Sequence, residues 1–265
     1  GLEKSVSYGG GTKNGPKEII KASHQVELFD EELNKEPYKS IGIKTLKPVS
    51  IKNKLEAALD QLALINEYLI NHKKFPLVLG GEHSITPGAI RPFAQKNKRL
   101  TLIHFDAHAD LRDKYNGEKF SHACAIKRCL DFKNVEIISF GIRSLSSPEM
   151  KFYNNNRNRI RIFWSKDKND WNYNEIKKLV NKKNVYITFD VDAFDSSIMP
   201  ATGTPEPGGL LWEDAISILK TVCKSSNVVG ADINELAPIK NFDSYNFLVA
   251  KLAYKILSYT FEYKL

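Results

Sequence analysis

The sequence predicts an α/β protein built on a parallel sheet with helices on both faces. Strand-like and helix-like segments alternate along the chain with little interruption, which is the mark of that architecture. The strand-like runs, such as Val185-Tyr186-Ile187-Thr188-Phe189, are almost continuously apolar, as strands buried on both faces must be. Four of these runs lead directly into carboxylate or imidazole side chains at their C-terminal ends, where open parallel sheets bind ligands.

After a Gly-rich opening, Gly15-Pro16 starts a short helix, since proline suits a first turn. Ser50 is the expected N-cap of a long amphipathic helix from Ile51 to about His72. Pro76 to Gly80 is a strand running into Gly81-Glu82-His83, and a helix begins near Thr86. Thr101 to Phe105 is a strand running into Asp106-Ala107-His108-Ala109-Asp110, with a helix expected from about Ser121. Val135 to Phe140 is a strand ending in Gly141-Ile142-Arg143, and Val185 to Phe189 runs into Asp190-Val191-Asp192. The prolines and glycines from Ala193 to Gly209 exclude regular structure and place an irregular loop where it can wall a pocket. A helix from about Leu211, a strand Val228 to Ala231 running into Asp232-Ile233-Asn234-Glu235, and a helix from Ser244 to Phe261 complete the chain. Nothing resembles a repeat or an interdomain linker, so residues 1–265 are read as one domain. The first residue is Gly rather than Met, which leads us to expect a trimmed N-terminus.

A hydrophobic fraction of 42% and a charged fraction of 26% are ordinary for a soluble globular protein. No apolar run is long enough to span a membrane, and no signal-peptide pattern opens the chain. Cys124, Cys129 and Cys223 are few and odd in number, so a reducing compartment is expected and the cytoplasm is the default. The net charge of +8 comes from lysines such as Lys73-Lys74 and Lys182-Lys183 at expected helix ends and turns, where cations suit the helix dipole. No nucleic-acid-binding signature accompanies them, so nucleic acid is not an expected partner. The acidic strand tips have the opposite sign and favour a small cationic substrate.

Asp106, His108 and Asp110 are spaced two apart, the period of a strand, and would leave its end pointing one way. Crowding such groups is costly unless something positive sits between them. With His83, Asp190 and Asp192 they form a set of four carboxylates and two neutral imidazoles, of formal charge −4. Two divalent cations would balance that charge, about 3.5–4 Å apart with a hydroxide between them. Oxygen and nitrogen ligands without thiolate suit Mn²⁺, with Fe²⁺, Co²⁺ and Zn²⁺ as competitors.

Gly80-Gly81-Glu82-His83, Asp106 to Asp110, Phe189-Asp190-Val191-Asp192-Ala193 and the loop Pro200 to Gly209 together resemble the ureohydrolase family of arginases and agmatinases. The resemblance runs from Tyr8 to the last helix. It implies a three-layer αβα sandwich, two Mn²⁺ per subunit, and hydrolysis of a guanidino group to urea and an amine by a bridging hydroxide. By position it makes Asp106 and Asp190 the bridging ligands, with His83 and Asp110 completing one metal site and His108 and Asp192 the other. Asp110 would also orient the hydroxide. Glu235 would bind the guanidinium as a bidentate carboxylate partner, and His122 would protonate the departing amine. Assembly into trimers or hexamers is implied as well. His104 is expected to hydrogen-bond behind the site, and Asp195 and Asp232 to orient backbone or ligands. Arg143 and Glu149 match an Arg…Glu pair of structural character, while Glu82 has no readable partner.

The family's arginases hold an α-amino acid with a Ser/Asn-rich loop and an Asp, where this chain has Ser146 and the segment Leu111 to Phe120. An unpaired α-ammonium in a desolvated pocket costs a few kcal/mol. The stretch Asp110 to Ala123 instead resembles compact agmatinases, so agmatine hydrolysis to putrescine is the expected reaction. Aminopropyl-agmatine, guanidinobutyrate and arginine are the alternative substrates. Arg112 and Lys119 bear on the second, since either could meet a carboxylate. Two alternatives from other classes remain: a one-zinc deacetylase of the same fold, disfavoured by the second full ligand set, and a catalytically silent binding or regulatory protein, disfavoured by the intact six ligands with Glu235 and His122.

Overall fold

The computed structural model describes residues 1–264; Leu265, where the expected domain ends, lies outside them. In chain order the strands are β1 (Leu77–Leu79), β2 (Leu100–Phe105), β3 (Val135–Ile142), β4 (Ile160–Trp164), β5 (Asn184–Asp190) and β6 (Asn227–Asn234). The helices are α1 (Gly15–Ser23), α2 (Tyr38–Ile41), α3 (Leu55–Asn71), α4 (Thr86–Lys96), α5 (Ala125–Cys129), α6 (Ser147–Asn155), α7 (Tyr173–Val180), α8 (Trp212–Ser225) and α9 (Ser244–Glu262). Among the described residues the strands form one parallel sheet of order β1-β6-β5-β2-β3-β4.

The pleat sends successive side chains to opposite faces, and both faces are covered. Ile103, Phe105, Ile138, Phe140, Val185, Ile187 and Phe189 pack on one side with residues of α7, α8 and α9. Leu100, Leu102, Val135, Ile137 and Tyr186 pack on the other with residues of α4, α5 and α6. The result is three layers, helix on sheet on helix, with the core in two apolar slabs.

The sheet order fixes the site. From β2 the chain steps outward through β3 and β4, then returns to β5 on the other flank of β2 and continues to β6. The order therefore reverses between β2 and β5, and in open α/β sheets the crevice at such a reversal binds ligands. The four strands with polar C-terminal ends, β1, β6, β5 and β2, are contiguous.

Three local expectations change. The long helix starts at Leu55 after Lys54, not after Ser50, whose carbonyl instead accepts from Gln61 Nε2 at 2.9 Å. The helix expected from Ser121 opens as a 3-10 turn, His122–Cys124, before α5. Strand β4 was not anticipated: it is a short edge strand with Arg161 exposed, and a charge there discourages pairing with another sheet.

Candidate metal centre and substrate cavity

Phe105 of β2 pairs with Phe189 of β5, so the next residues, Asp106 and Asp190, emerge side by side. Asp190 in turn pairs with Asn234 of β6, which places Glu235 one step beyond the neighbouring strand. Gly80, after β1, lies against Asn234: a Cβ there would stand 2.0 Å from Asn234 Oδ1, so only glycine lets β1 and β6 converge at this rim.

The six His and Asp side chains separate into two groups that share Asp106. His83 Nδ1 lies 3.0 Å from Asp106 Oδ2, 3.2 Å from Asp110 Oδ2 and 3.3 Å from Asp190 Oδ2. His108 Nδ1 lies 2.9 Å from Asp192 Oδ2 and 3.5 Å from Asp106 Oδ1. Asp190 Oδ1 accepts from Asp192 N at 2.9 Å, which ties the two groups together.

The hydrogen bonds of His83 show how the first group could hold a cation. Thr188 Oγ1 donates to Asp232 Oδ1 at 2.6 Å, so it accepts from His83 Nε2 at 2.8 Å. Nε2 carries the hydrogen, and a bare Nδ1 would present a lone pair to three carboxylate oxygens; burial opposes charging the ring, but Asp106, Asp110 and Asp190 outweigh it and push the imidazole well above its ordinary value. Buried Nδ1 has no hydrogen-bond partner there. Only a cation, or a proton on Nδ1, removes that conflict, and a histidine oriented through its other nitrogen is a typical ligand. His104 differs: its nitrogens contact Ser139 Oγ at 2.9 Å and Asp106 Oδ2 at 2.8 Å, so it braces Asp106 from behind.

The acid–base balance shows the same frustration. Burial, then the neighbouring Asp192 and Asp106, push the Asp190 carboxyl well above the usual carboxylate range. Burial and Asp106 push Asp110 up to about 7. Burial opposes charging His108, but Asp192 and Asp106 outweigh it and push the imidazole up to about 12. Carboxylates that resist ionising beside histidines that hold protons form an anionic pocket short of positive charge.

Asp110 (φ 52°) and Glu235 (φ 68°) both occupy the left-handed region, uncommon for residues other than glycine. Backbone strain of this kind persists where surrounding contacts over-determine it. Lys127 N donates to Asp110 O at 3.0 Å, and Glu235 N donates to Gly81 O at 2.7 Å. Glu235 Oε1 accepts from His83 N at 2.6 Å, so this carboxylate sits against the turn that carries His83. Burial pushes its pKa well above the usual range. The six His and Asp residues, Glu235 and His122 line one cavity of about 250 Å³, with Tyr8, Arg112, Tyr115 and Glu149 on its other walls. Lys119 is not among its lining residues.

Arg143 and Glu149 do not act as a pair. Glu149 caps α6 through Ser146 N and Oγ at 2.8 and 2.6 Å and accepts from Leu111 N at 3.0 Å. Arg143 gathers carbonyls from both sides of the irregular loop: Asp192 O at 2.8 Å, Phe194 O at 3.1 Å, Glu206 O at 2.8 Å and Pro207 O at 3.0 Å. Asp195 closes the same loop by accepting from Gly209 N at 2.8 Å. Lysine cannot reproduce this planar fork. Arg143→Lys is therefore expected to speed amide exchange across residues 195–209 and to cost about 1–3 kcal/mol of stability through orphaned carbonyls. Unchanged exchange in that loop would refute the clamp.

Thr188 and Ser5 escaped the sequence reading. Thr188 was visible as the one Ser or Thr in an apolar strand that ends at the site; Ser5 gave no signal, because its partners are more than 70 residues away.

The chain matches the family model described as "Arginase family" over residues 1–258. It is 34% identical to an N(1)-aminopropylagmatine ureohydrolase of Synechocystis, covering 97% of this chain and 86% of that protein. It is 32% identical to an agmatinase of Pyrococcus horikoshii, covering 97% and 88%. The solved agmatine ureohydrolase of Thermoplasma volcanium superposes with a TM-score of 0.86 at 31% identity, over 98% of this chain and 87% of that one. With three layers around one parallel sheet and a buried His/Asp cluster at its reversal point, the chain belongs to the arginase family of hydrolases acting on guanidino compounds.

Proposed function

We propose that this protein hydrolyses agmatine to putrescine and urea with two Mn²⁺ bound per subunit. The observation that carries the reading is the convergence of Asp106, Asp110 and Asp190 on Nδ1 of His83, next to a second group formed by Asp106, His108 and Asp192. His83 and Asp110 would complete one cation site, and His108 and Asp192 the other, with Asp106 and Asp190 common to both. A bound pair of such ions supplies a hydroxide near neutral pH and stabilises the charge that develops during addition.

Buried Glu235 would take the substrate's guanidinium through two parallel N–H···O bonds. The carboxylates around it attract a cation into the cavity. As the bond from the guanidino carbon to the chain nitrogen breaks, His122 would give that nitrogen a proton and make it a viable leaving group. Ser146, where an arginase-type pocket has a carboxylate, gives its hydroxyl hydrogen to Glu149 and offers an α-ammonium no counter-charge. Arg112 is engaged too, 3.6 Å from Glu149 and 5.2 Å above the Tyr115 ring, which weighs against guanidinobutyrate. The 34% identity to the Synechocystis protein supports aminopropyl-agmatine as the second reading.

Three buried free cysteines support a reducing, cytoplasmic setting, and no described helix is long and apolar enough to cross a membrane. Family membership supports assembly as a trimer or hexamer and a place in polyamine synthesis. Urea release by Mn²⁺-loaded protein, compared at equal concentrations of agmatine, aminopropyl-agmatine, guanidinobutyrate and arginine, tests the proposal. Agmatine is expected to lead. A lead by another of the four would move the substrate and keep the chemistry. Metal bound with no urea from any would overturn it.

A further inference from the structure

The first residues of the chain form no helix or strand, yet they reach the cavity. Leu2 O accepts from Glu82 N at 2.9 Å, and Ser5 N donates to Glu82 Oε2 at 2.7 Å. Ser5 is thereby held between the turn after β1 and the 3-10 turn that begins at His122. Its hydroxyl has three partners. Oγ donates to Glu82 Oε2 at 3.0 Å, accepts from His122 N at 3.0 Å, and lies 3.3 Å from His122 Nδ1.

A hydroxyl has one hydrogen and two lone pairs. With the hydroxyl hydrogen directed at the carboxylate, both lone pairs face His122, one toward its backbone N–H and one toward Nδ1, an arrangement that favours the tautomer with hydrogen on Nδ1. Glu82 cannot swing away, because Ser84 Oγ donates to its other oxygen at 2.7 Å. Ser121 Oγ, also 3.3 Å from Nδ1, is a rotatable hydroxyl that can accept from the same N–H. With Nδ1 committed, Nε2 is the nitrogen left for the cavity that His122 lines.

We infer that Ser5, braced by Glu82, is a positioning residue that fixes His122 with its hydrogen on Nδ1 and presents Nε2 as the proton-donating atom. The inference rests on the hydrolase reading above. In that step the bond between guanidino carbon and chain nitrogen breaks, and the nitrogen keeps the electron pair. Burial holds the His122 pKa below its ordinary value, so the resting ring is neutral with Nε2 bare; Nε2 first takes a proton from water in the cavity and then gives it to that nitrogen, leaving the neutral ring with its hydrogen still on Nδ1. Neither partner of Ser5 is near it in sequence: Glu82 is 77 residues away and His122 is 117. The contact exists only because the N-terminal segment packs across the strand ends.

The test compares Ser5→Ala, Ser5→Thr, His122→Asn and the double variant Ser5→Ala/His122→Asn. Alanine keeps the backbone bond to Glu82 and removes only the hydroxyl. Ser5→Ala is expected to lower kcat about 10- to 100-fold, a part of the roughly 10²–10⁴-fold that a positioned general acid contributes, with KM changed by less than about 2-fold. Ser5→Thr should regain most of the loss, and in the His122→Asn background Ser5→Ala should cost nothing further. Independently of turnover, imidazole ¹⁵N shifts of the protein loaded with diamagnetic Zn²⁺ should show His122 with hydrogen on Nδ1, and a changed tautomer ratio in Ser5→Ala. Unchanged kcat in Ser5→Ala overturns the inference, as does an equal loss in the His122→Asn background. If the unsubstituted protein releases no urea, the hydrolase reading fails, while the ¹⁵N shifts still decide whether Ser5 sets the ring.

Discussion

Asp190→Asn is expected to lower urea release by at least about 10²-fold, since losing even an outer partner of a metal ligand typically costs 10–100-fold. The substitution keeps the side-chain shape and an oxygen able to accept from Asp192 N, now at 2.9 Å from Oδ1. What it removes is one negative charge from the group around His83, so metal content should fall with activity. Stability should move the other way. Burial, Asp192 and Asp106 all resist ionisation of Asp190, so in the presence of EDTA the variant should melt no lower than the unsubstituted protein. A variant that loses activity while keeping two ions per subunit, or that melts far lower in EDTA, would count against a shared metal ligand.

The same charges set the pH dependence of the metal-free protein. A folded His108 pushed up to about 12 holds a proton above neutrality that the unfolded chain has released. Asp110, pushed up to about 7, likewise binds its proton more tightly when folded. The folded state therefore holds more protons than the unfolded state from about pH 4 to 7 through Asp110 and from about pH 6.5 to 12 through His108, and its stability falls as pH rises through those windows. Bound metal replaces those protons and binds tighter at higher pH, so Mn²⁺ should flatten or reverse the slope. Melting curves with EDTA and with Mn²⁺ across this range check both signs.

Lys255→Met is expected to be the most destabilising single change outside the site. Lys255 lies on α9 with only 1% of its side chain exposed, and its Nζ is 3.0 Å from fully buried Asp30. Glu31 at 3.2 Å and Glu32 at 3.4 Å complete the cluster. Asp30 also accepts from Glu32 N and Leu33 N, both at 3.1 Å, so it organises the turn that follows α1. Removing one partner leaves the other charge buried without compensation, at about 3–5 kcal/mol, a fall in Tm of roughly 10 °C for a chain of this size. Replacing both charges by apolar groups of similar size should recover most of the loss, because desolvation offsets much of what the pair contributes. Activity per folded molecule should stay unchanged in either variant, since neither residue lines the cavity. A double variant as unstable as Lys255→Met would show that the turn needs Asp30 for its backbone bonds rather than for the pair.

The sequence by itself determined whatever depends on neighbours along the chain. Apolar runs marked the buried strands β2, β3, β5 and β6, because a strand covered on both faces has little polar side to show, and marked the half-buried edge strand β1 as well. The period of two placed Asp106, His108 and Asp110 together, and the prolines and glycines of residues 193–209 excluded regular structure where a wall was needed. Strand β4 was missed because an edge strand with an outward Arg161 carries a weaker apolar signal.

Only the tertiary structure decided what depends on register and crossing. Asp106 and Asp190 are adjacent because β2 pairs with β5 in one register. The Thr188–Asp232 link that orients His83 spans two strands and the turn after a third. Lys255 reads as one more lysine in a helix until the fold brings Asp30 beneath it. Each of these contacts joins groups dozens to hundreds of residues apart; residue type at the strand ends places such groups at one rim, but it does not say which atoms meet. Packing decides that: parallel pairing gathers the polar tips at one rim, and the order β1-β6-β5-β2-β3-β4 makes the four ligand-bearing strands neighbours.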